Sequence, residues 1–155
     1  MKRLISFGAL IALLLTITIS AAGPAPVAEA TMARDREAVK TLLKGGADVN
    51  AAQGDGMTAL HWAARNGDAE LTQMLLFAGA NVKATTRLGG YTPLMMAAEQ
   101  GHATVIATLI SGGSDVKAAN ALGTTPLMLA AASGDPQAVT TLVENGAEIE
   151  AKEKT

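Results

Sequence analysis

The amino-acid sequence predicts an all-α solenoid of paired antiparallel helices with hairpin-like loops, about four repeats including a degenerate N-terminal cap. Three observations predict it. A glycine phrase recurs as "KGGADVNA", "FAGANVKA", "SGGSDVKA" and "ENGAEIEA", with second glycines Gly46, Gly79, Gly113 and Gly146 separated by 33, 34 and 33 residues. A second phrase recurs ahead of the last three: "TALHWAARNG" at 58–67, "TPLMMAAEQG" at 92–101 and "TTPLMLAAASG" at 124–134. Between the phrases, apolar residues return at helical spacing, which is the signature of an amphipathic helix. A fixed period in this range means stacked units that share one continuous core.

The first 22 residues read as an export leader. Lys2 and Arg3 give a positive start, Leu4 to Ile19 is a mostly apolar run of 16 residues, and Ser20 and Ala22 are small residues of the kind a signal peptidase reads. The run is short for a membrane span, which needs about 20 apolar residues. Cleavage near Ala22 and a periplasmic or secreted product are therefore expected. "AEA" at 28–30 is a second candidate junction, but cutting there would remove the first helix of the cap.

A single domain is expected at 23–155, with the cap at 24–52 and units at 53–85, 86–119 and 120–152. In the cap, Pro26, Val27 and Ala30 overlay the helix-starting phrase of the later units, and Ala38, Val39, Leu42 and Leu43 form the stripe of a second helix. In each full unit, Thr58, Thr92 or Thr125 is placed to cap a first helix with its hydroxyl. Pro93 and Pro126 follow at a first helical position, where the missing N–H leaves nothing unsatisfied. Leu60, Ala63 and Ala64 recur as Leu94, Ala97, Ala98 and as Leu127, Ala130, Ala131, and small alanines let neighbouring helices come close. Gly67, Gly101 and Gly134 stop these helices. Second helices carry Leu71, Leu75 and Leu76, then Val105, Ile106, Leu109 and Ile110, then Val139, Leu142 and Val143. Gly46, Gly79, Gly113 and Gly146 end them. The one inserted residue falls in "TTRLGGYT". Polar end faces are expected from Arg34, Arg36, Lys40 and Lys44 at the start, and from Thr140, Thr141, Glu144, Glu148 and Glu150 at the finish.

The 33-residue period, the T-P-L-H-x-A-like phrase and the closing G-A-D-V-N together resemble the ankyrin repeat. The resemblance covers nearly all of the chain after the leader. It implies protein–protein recognition through the hairpin tips and the exposed face of the first helices.

Composition narrows the partners. Without Lys2 and Arg3 the chain has 10 basic and 14 acidic residues and no basic cluster, so nucleic acid and anionic membrane surfaces are poor partners, and no membrane contact is expected beyond the leader. The absence of cysteine means that the fold holds in an oxidising compartment without disulfides. Four aromatic residues are few for a sugar- or base-stacking surface.

Catalytic chemistry is not visible, and no enzyme activity, cofactor or metal site is expected. H-E-x-x-H, G-x-S-x-G and phosphate-loop spacings are missing; Gly89-Gly90 lacks the G-K-[ST] continuation, and the serines of "SGGS" have no base beside them. His61, Met95 and Met128 occupy one slot in successive units, and Met96 and Leu129 occupy that of Trp62. A Cu(I) reading of the first slot is weighed against core packing. Helices pack about 8–10 Å apart, so three such side chains are hard to converge on one ion, although two could meet. Packing is the better reading, because methionine fills irregular gaps. Trp62 is likewise read as filler.

The candidate partner-binding residues follow from the resemblance. At the tips they are Asp55 and Met57 beside Gly54, then Arg87, Leu88 and Tyr91, then Leu122 and Thr124 beside Ala121. On the first helices they are Arg65 and Asn66, then Glu99 and Gln100 facing outward beside the middle tip, with Ala132 and Ser133 in the last unit. Arg87 and Tyr91 are of the types that anchor interfaces. A monomer binding one partner protein is expected. The alternatives are an accessory factor for a periplasmic stress or oxidative-defence enzyme, a soft-metal binder, and an immunity or inhibitor protein.

Overall fold

The computed structural model describes residues 25–149. The leader at 1–22, its junction at Ala22 and the terminal Glu150 lie outside these residues. Eight helices and no strand occur among the described residues: α1 Pro26–Met32, α2 Arg36–Lys44, α3 Ala59–Asn66, α4 Ala69–Phe77, α5 Pro93–Glu99, α6 Ala103–Ser111, α7 Pro126–Ser133 and α8 Pro136–Glu144. None is long and apolar enough to cross a membrane.

Local chemistry sets the helix ends. Thr92 Oγ1 accepts from the Met95 N–H at 3.3 Å, and Thr125 Oγ1 accepts from the Met128 N–H at 3.4 Å. Three of the four second helices, all but α6, have their own side-chain caps, which the recurring phrases did not suggest. Asp35, Asp68 and Asp135 each accept the N–H three residues on, at 2.9, 2.9 and 2.8 Å. The aspartate oxygen satisfies a donor that the helix itself leaves open. Left-handed glycines then close the helices, as at Gly67 with φ 72° and Gly134 with φ 78°.

The helices form two rows. The inner row runs α1, α3, α5, α7, each packed on the next, and the outer helices back them in pairs. Ala63, Ala64, Ala97, Ala98 and Ala130 are fully buried in the inner row. Their small side chains bring successive helices close, so each unit buries its leucines against the next. Leu60, Leu71, Leu75, Leu94, Ile106, Leu109 and Leu142 make up this continuous core. In the outer row α4 packs on α6 and α6 on α8, whereas α2 and α4 scarcely approach.

Hairpin-like loops join the units. Gln53 N–H donates to Met57 O at 2.9 Å, and Asn120 N–H donates to Thr124 O at 3.0 Å. The middle loop closes one residue later, from Thr86 N–H to Tyr91 O at 3.0 Å, and Gly89 and Gly90 take up the extra residue with φ of 81° and 69°. Neighbouring hairpins are tied by backbone bonds: Arg87 N–H to Asp55 O at 2.8 Å and Ala121 N–H to Gly89 O at 3.3 Å. Asn50 adds a side-chain link between units, donating to Gly79 O at 3.1 Å and accepting from Asn81 N–H at 2.7 Å.

Polar residues expected at the ends are exposed, among them Arg34, Arg36 and Lys44 at the first and Thr140, Glu144 and Glu148 at the other, but each end has a further feature. Arg36 does not simply face water at the first end. Its guanidinium reaches into the next unit and grips Asp68 twice at 2.9 Å and Glu70 at 2.7 Å. The planar fork matches a carboxylate, and Asp68 is already fixed as the α4 cap. At the other end Thr140, Glu144 and Glu148 are exposed, but so are apolar groups. Met95, Ala98 and Ile106 are wholly buried in the middle unit, yet their counterparts Met128 and Val139 are half-open, Ala131 is exposed and Ile149 is 76% exposed. The last unit keeps the joint chemistry of an internal one, because its apolar pattern was not exchanged for a polar one.

Candidate partner-binding surface

The hairpins sort the predicted tip residues into two sets. Asp55, Arg87, Leu88 and Leu122 stand at the true tips and are exposed, Leu88 at 82% and Leu122 at 64%. The backbone bonds between hairpins hold these tips in one row. Met57, Tyr91 and Thr124 belong to the hairpin bases. Each supplies the carbonyl that closes its hairpin and directly precedes the helix-capping threonine, so the chain there has already turned back toward the helices. Met57 is 4% exposed and part of the core. Tyr91 is half-buried, with its ring so close over Gly89 that a Cβ there would meet it at 2.8 Å. Thr124 is also half-buried.

The first-helix residues are separated from the tips. The middle hairpin enters α5 at its N-terminus, whereas Glu99 and Gln100 sit at its far end. Seven residues of helix rise about 10 Å, so this pair is not beside the tip, although both members are exposed. Asn66 is not a free surface group. Its Nδ2 donates to Thr31 O at 3.1 Å, and its Oδ1 accepts from Arg34 at 3.5 Å. Arg65 is exposed and lies over the Trp62 ring at 5.8 Å from the centroid. Trp62 Nε1–H donates to Gln53 Oε1 at 2.7 Å. The indole is thus only partly filler: it is pinned at its edge, half-exposed, and carries a cation on its face, an arrangement worth about 0.5–1 kcal/mol at exposed sites.

The His61, Met95 and Met128 slot is structural in its first two members. Met95 is fully buried. Both His61 ring nitrogens are engaged: Nδ1 faces the Thr58 N–H at 3.2 Å and its hydroxyl at 2.9 Å, and Nε2 meets Tyr91 O at 3.0 Å. These partners require a neutral ring protonated at Nε2. Burial pushes the imidazolium below its ordinary pKa of 6.5, against the raising pull of the Tyr91 carbonyl. The unfolded chain therefore takes up its proton first as pH falls. Stability is full above about pH 6.5 and declines below it, by at most about 1.4 kcal/mol per pH unit. His61→Met, which installs the residue of the sister units, is expected to flatten melting temperature between about pH 7 and 5.5. Melts followed by circular dichroism test this, and an unchanged slope in the variant would assign the pH response elsewhere.

His102 also serves the scaffold. Its Nε2 lies 3.2 Å from Arg65 O, and its ring fills the space where a Cβ on Gly67 would sit, 2.8 Å away. Two buried polar atoms, Ser114 Oγ and Asn120 Nδ2, have no hydrogen-bond partner. On the outer row, Phe77 is 96% exposed, which its unit's apolar stripe did not announce. The signal that finds it is the comparison of equivalent positions, which hold Lys44, Ser111 and Glu144 in the other units.

Comparison with known proteins agrees with this architecture. Two family models for ankyrin repeats match the chain, one over residues 66–153 and the other over 29–76. A stretch of 53 residues is 42% identical to the ankyrin repeat and LEM domain-containing protein 1 homolog of Caenorhabditis elegans. The match covers 34% of this chain and 8% of that protein, so the chain spans a small part of its relative's length.

Proposed function

The chain belongs to the ankyrin-repeat family, a family of protein-interaction modules, and from that premise we propose that it is exported to the periplasm and binds another protein there through its hairpin tips and first-helix face. The tip row supports the binding part of this reading, and the leader-like pattern of residues 1–22 supports export. Leu88 and Leu122 present apolar side chains to solvent, and Arg87 between the units makes no side-chain hydrogen bond among the described residues. Exposed apolar groups beside an unengaged guanidinium have no role in holding the stack, and they are the kind of group that anchors an interface. Arg65 on its tryptophan extends the surface toward the opposite end of the first helices.

The test is recovery of a partner from periplasmic extract by the tagged protein. Arg87→Ala with Leu88→Ala is expected to reduce recovery by about tenfold or more. A double Ala substitution at the outer-row residues Thr140 and Glu144 should leave it unchanged. Equal recovery by all three forms would remove the tips from the interface. Fractionation of spheroplasts tests export: a shortened product beginning near Gly23 in the periplasm is expected, and a full-length cytoplasmic product would refute it.

A further inference from the structure

Among the positions at which the first full unit departs from its sisters, three line one groove. Met74 stands where the other units have Thr41, Thr108 and Thr141. Those threonines donate back to the carbonyl four residues earlier, at 2.9, 2.9 and 2.7 Å, as outward-facing helix residues do. Phe77 stands where the others have Lys44, Ser111 and Glu144, and Ala78 where they have Gly45, Gly112 and Asn145. The stack needs none of these three changes, since its other units hold without them.

A groove lies between α2 and α4, with Ala78 on its wall. Between α4 and α6, Leu76 leans onto Gly112 so closely that a Cβ there would lie 2.9 Å from it. Between α2 and α4 the equivalent pair is Leu43 and Ala78, and the alanine already carries that Cβ. The two outer helices stay apart there. The groove, of ≈ 390 Å³, is lined by Lys40, Leu43, Lys44, Met74, Phe77 and Ala78. The far side of Phe77 is more mixed: Leu76 and Ala107 share its wall with Gln73 and the hydroxyl residues Thr104, Thr108 and Ser111, and no lysine lines it.

We propose that this groove is a second docking surface, separate from the tips, and that its occupant is an acidic amphipathic helix of another protein. The floor supplies a flexible methionine and a fully exposed phenylalanine, which suit the apolar face of an incoming helix. The rim sets the sign. No acidic residue lines the groove. Lys40 is held by Glu37 at 2.8 Å, while Lys44 has no side-chain partner among the described residues. Glu70, the nearest acid on α4, is held by Arg36. A partner with carboxylates flanking its apolar stripe therefore finds one unopposed ammonium and a second that can be shared. An anionic bilayer is held by clusters of several Lys and Arg, which this face lacks, and that favours the peptide over a membrane. A two-fold contact of the patch with itself would bring two Lys44 side chains to one interface, which disfavours a second copy.

The experiment uses the isotope-labelled protein and two synthetic helical peptides of about 18 residues. Both carry leucine and phenylalanine on one face; one is flanked by glutamate and its twin by lysine. The acidic peptide is expected to bind about tenfold or more tighter than its twin, to shift the amides of Leu43, Lys44, Met74 and Phe77, and to weaken with salt. Phe77→Ser should lower its affinity about tenfold, and Lys44→Glu should reverse the preference between the peptides. Phe77→Ser restores the residue of a sister unit, so folding is preserved, and the Lys44→Glu arm stands independently if it is not. Binding of neither peptide, equal binding of both, or shifts confined to the tips would overturn the proposal. Sedimentation with phosphatidylglycerol vesicles that exceeds peptide binding and needs Phe77 would assign the groove to lipid. Concentration-dependent self-association lost in Phe77→Ser would assign it to a second copy.

Discussion

Leu94→Ala is expected to destabilise the protein by about 3 kcal/mol, lowering its melting temperature by roughly 10 °C. Leu94 has no exposed surface and lies in α5, which packs on α3 on one side and α7 on the other. Removing its side chain opens a cavity between three helices, and the buried alanines around it cannot collapse far into the space. The sister change Leu127→Ala should be milder, because Leu127 borders the open face of the last unit, where water can fill the gap. Denaturant titration of both variants, followed by circular dichroism, separates the cases. Equal losses would show that the last unit is covered in solution.

Gly56→Ala has the second large expected effect, a loss of about 2–4 kcal/mol. Gly56 has φ 87°, where an alanine is strained. A Cβ there would also meet the Arg87 backbone nitrogen at 2.7 Å and the Thr86 Cα at 3.1 Å, and backbone cannot swing aside as a side chain can. The bond from Arg87 N–H to Asp55 O would be pushed open, so the first two tips would come out of line. Gly54→Ala is the control: it meets nothing within 4 Å, and its φ is not positive. Expected results are a lowered melting temperature and faster exchange of the Arg87 amide in the first variant, with neither in the second. A protected Arg87 amide in Gly56→Ala would show that the hairpins do not depend on this approach.

Much of the fold was legible in the sequence because its signals are local. A threonine three residues before an N–H, a proline at the first helical turn and a glycine at the end each act within one turn of chain, and Thr92, Pro93 and Gly101 lie where such rules place them. The inserted residue was also legible, since a period that slips from 33 to 34 must be absorbed in a loop. What escaped depends on contacts about one period apart in sequence. Arg36 meets Asp68 and Glu70 only once two units are stacked, and nothing within α2 announces it. The hairpin bases escaped for another reason. Met57, Tyr91 and Thr124 lie one residue from their capping threonines, and a single position decides between solvent and core where the chain reverses. Exposure at the tips was therefore legible for Asp55, Arg87, Leu88 and Leu122 and less so at the margins of the loops. Phe77 was hidden behind the regularity itself, because the eye follows what the units share while the groove is built from what one of them does not.

The half-open face of the last unit has a consequence for how such a chain can change over generations. Met128, Ala131 and Val139 present to solvent what Met95, Ala98 and Ile106 present to a neighbour. A duplicated unit placed against them would meet the apolar face that an internal unit already uses, with no new joint to invent. The array can lengthen by copying while its tips diverge independently, so the reach of the molecule and the identity of what it holds are free to evolve at different speeds.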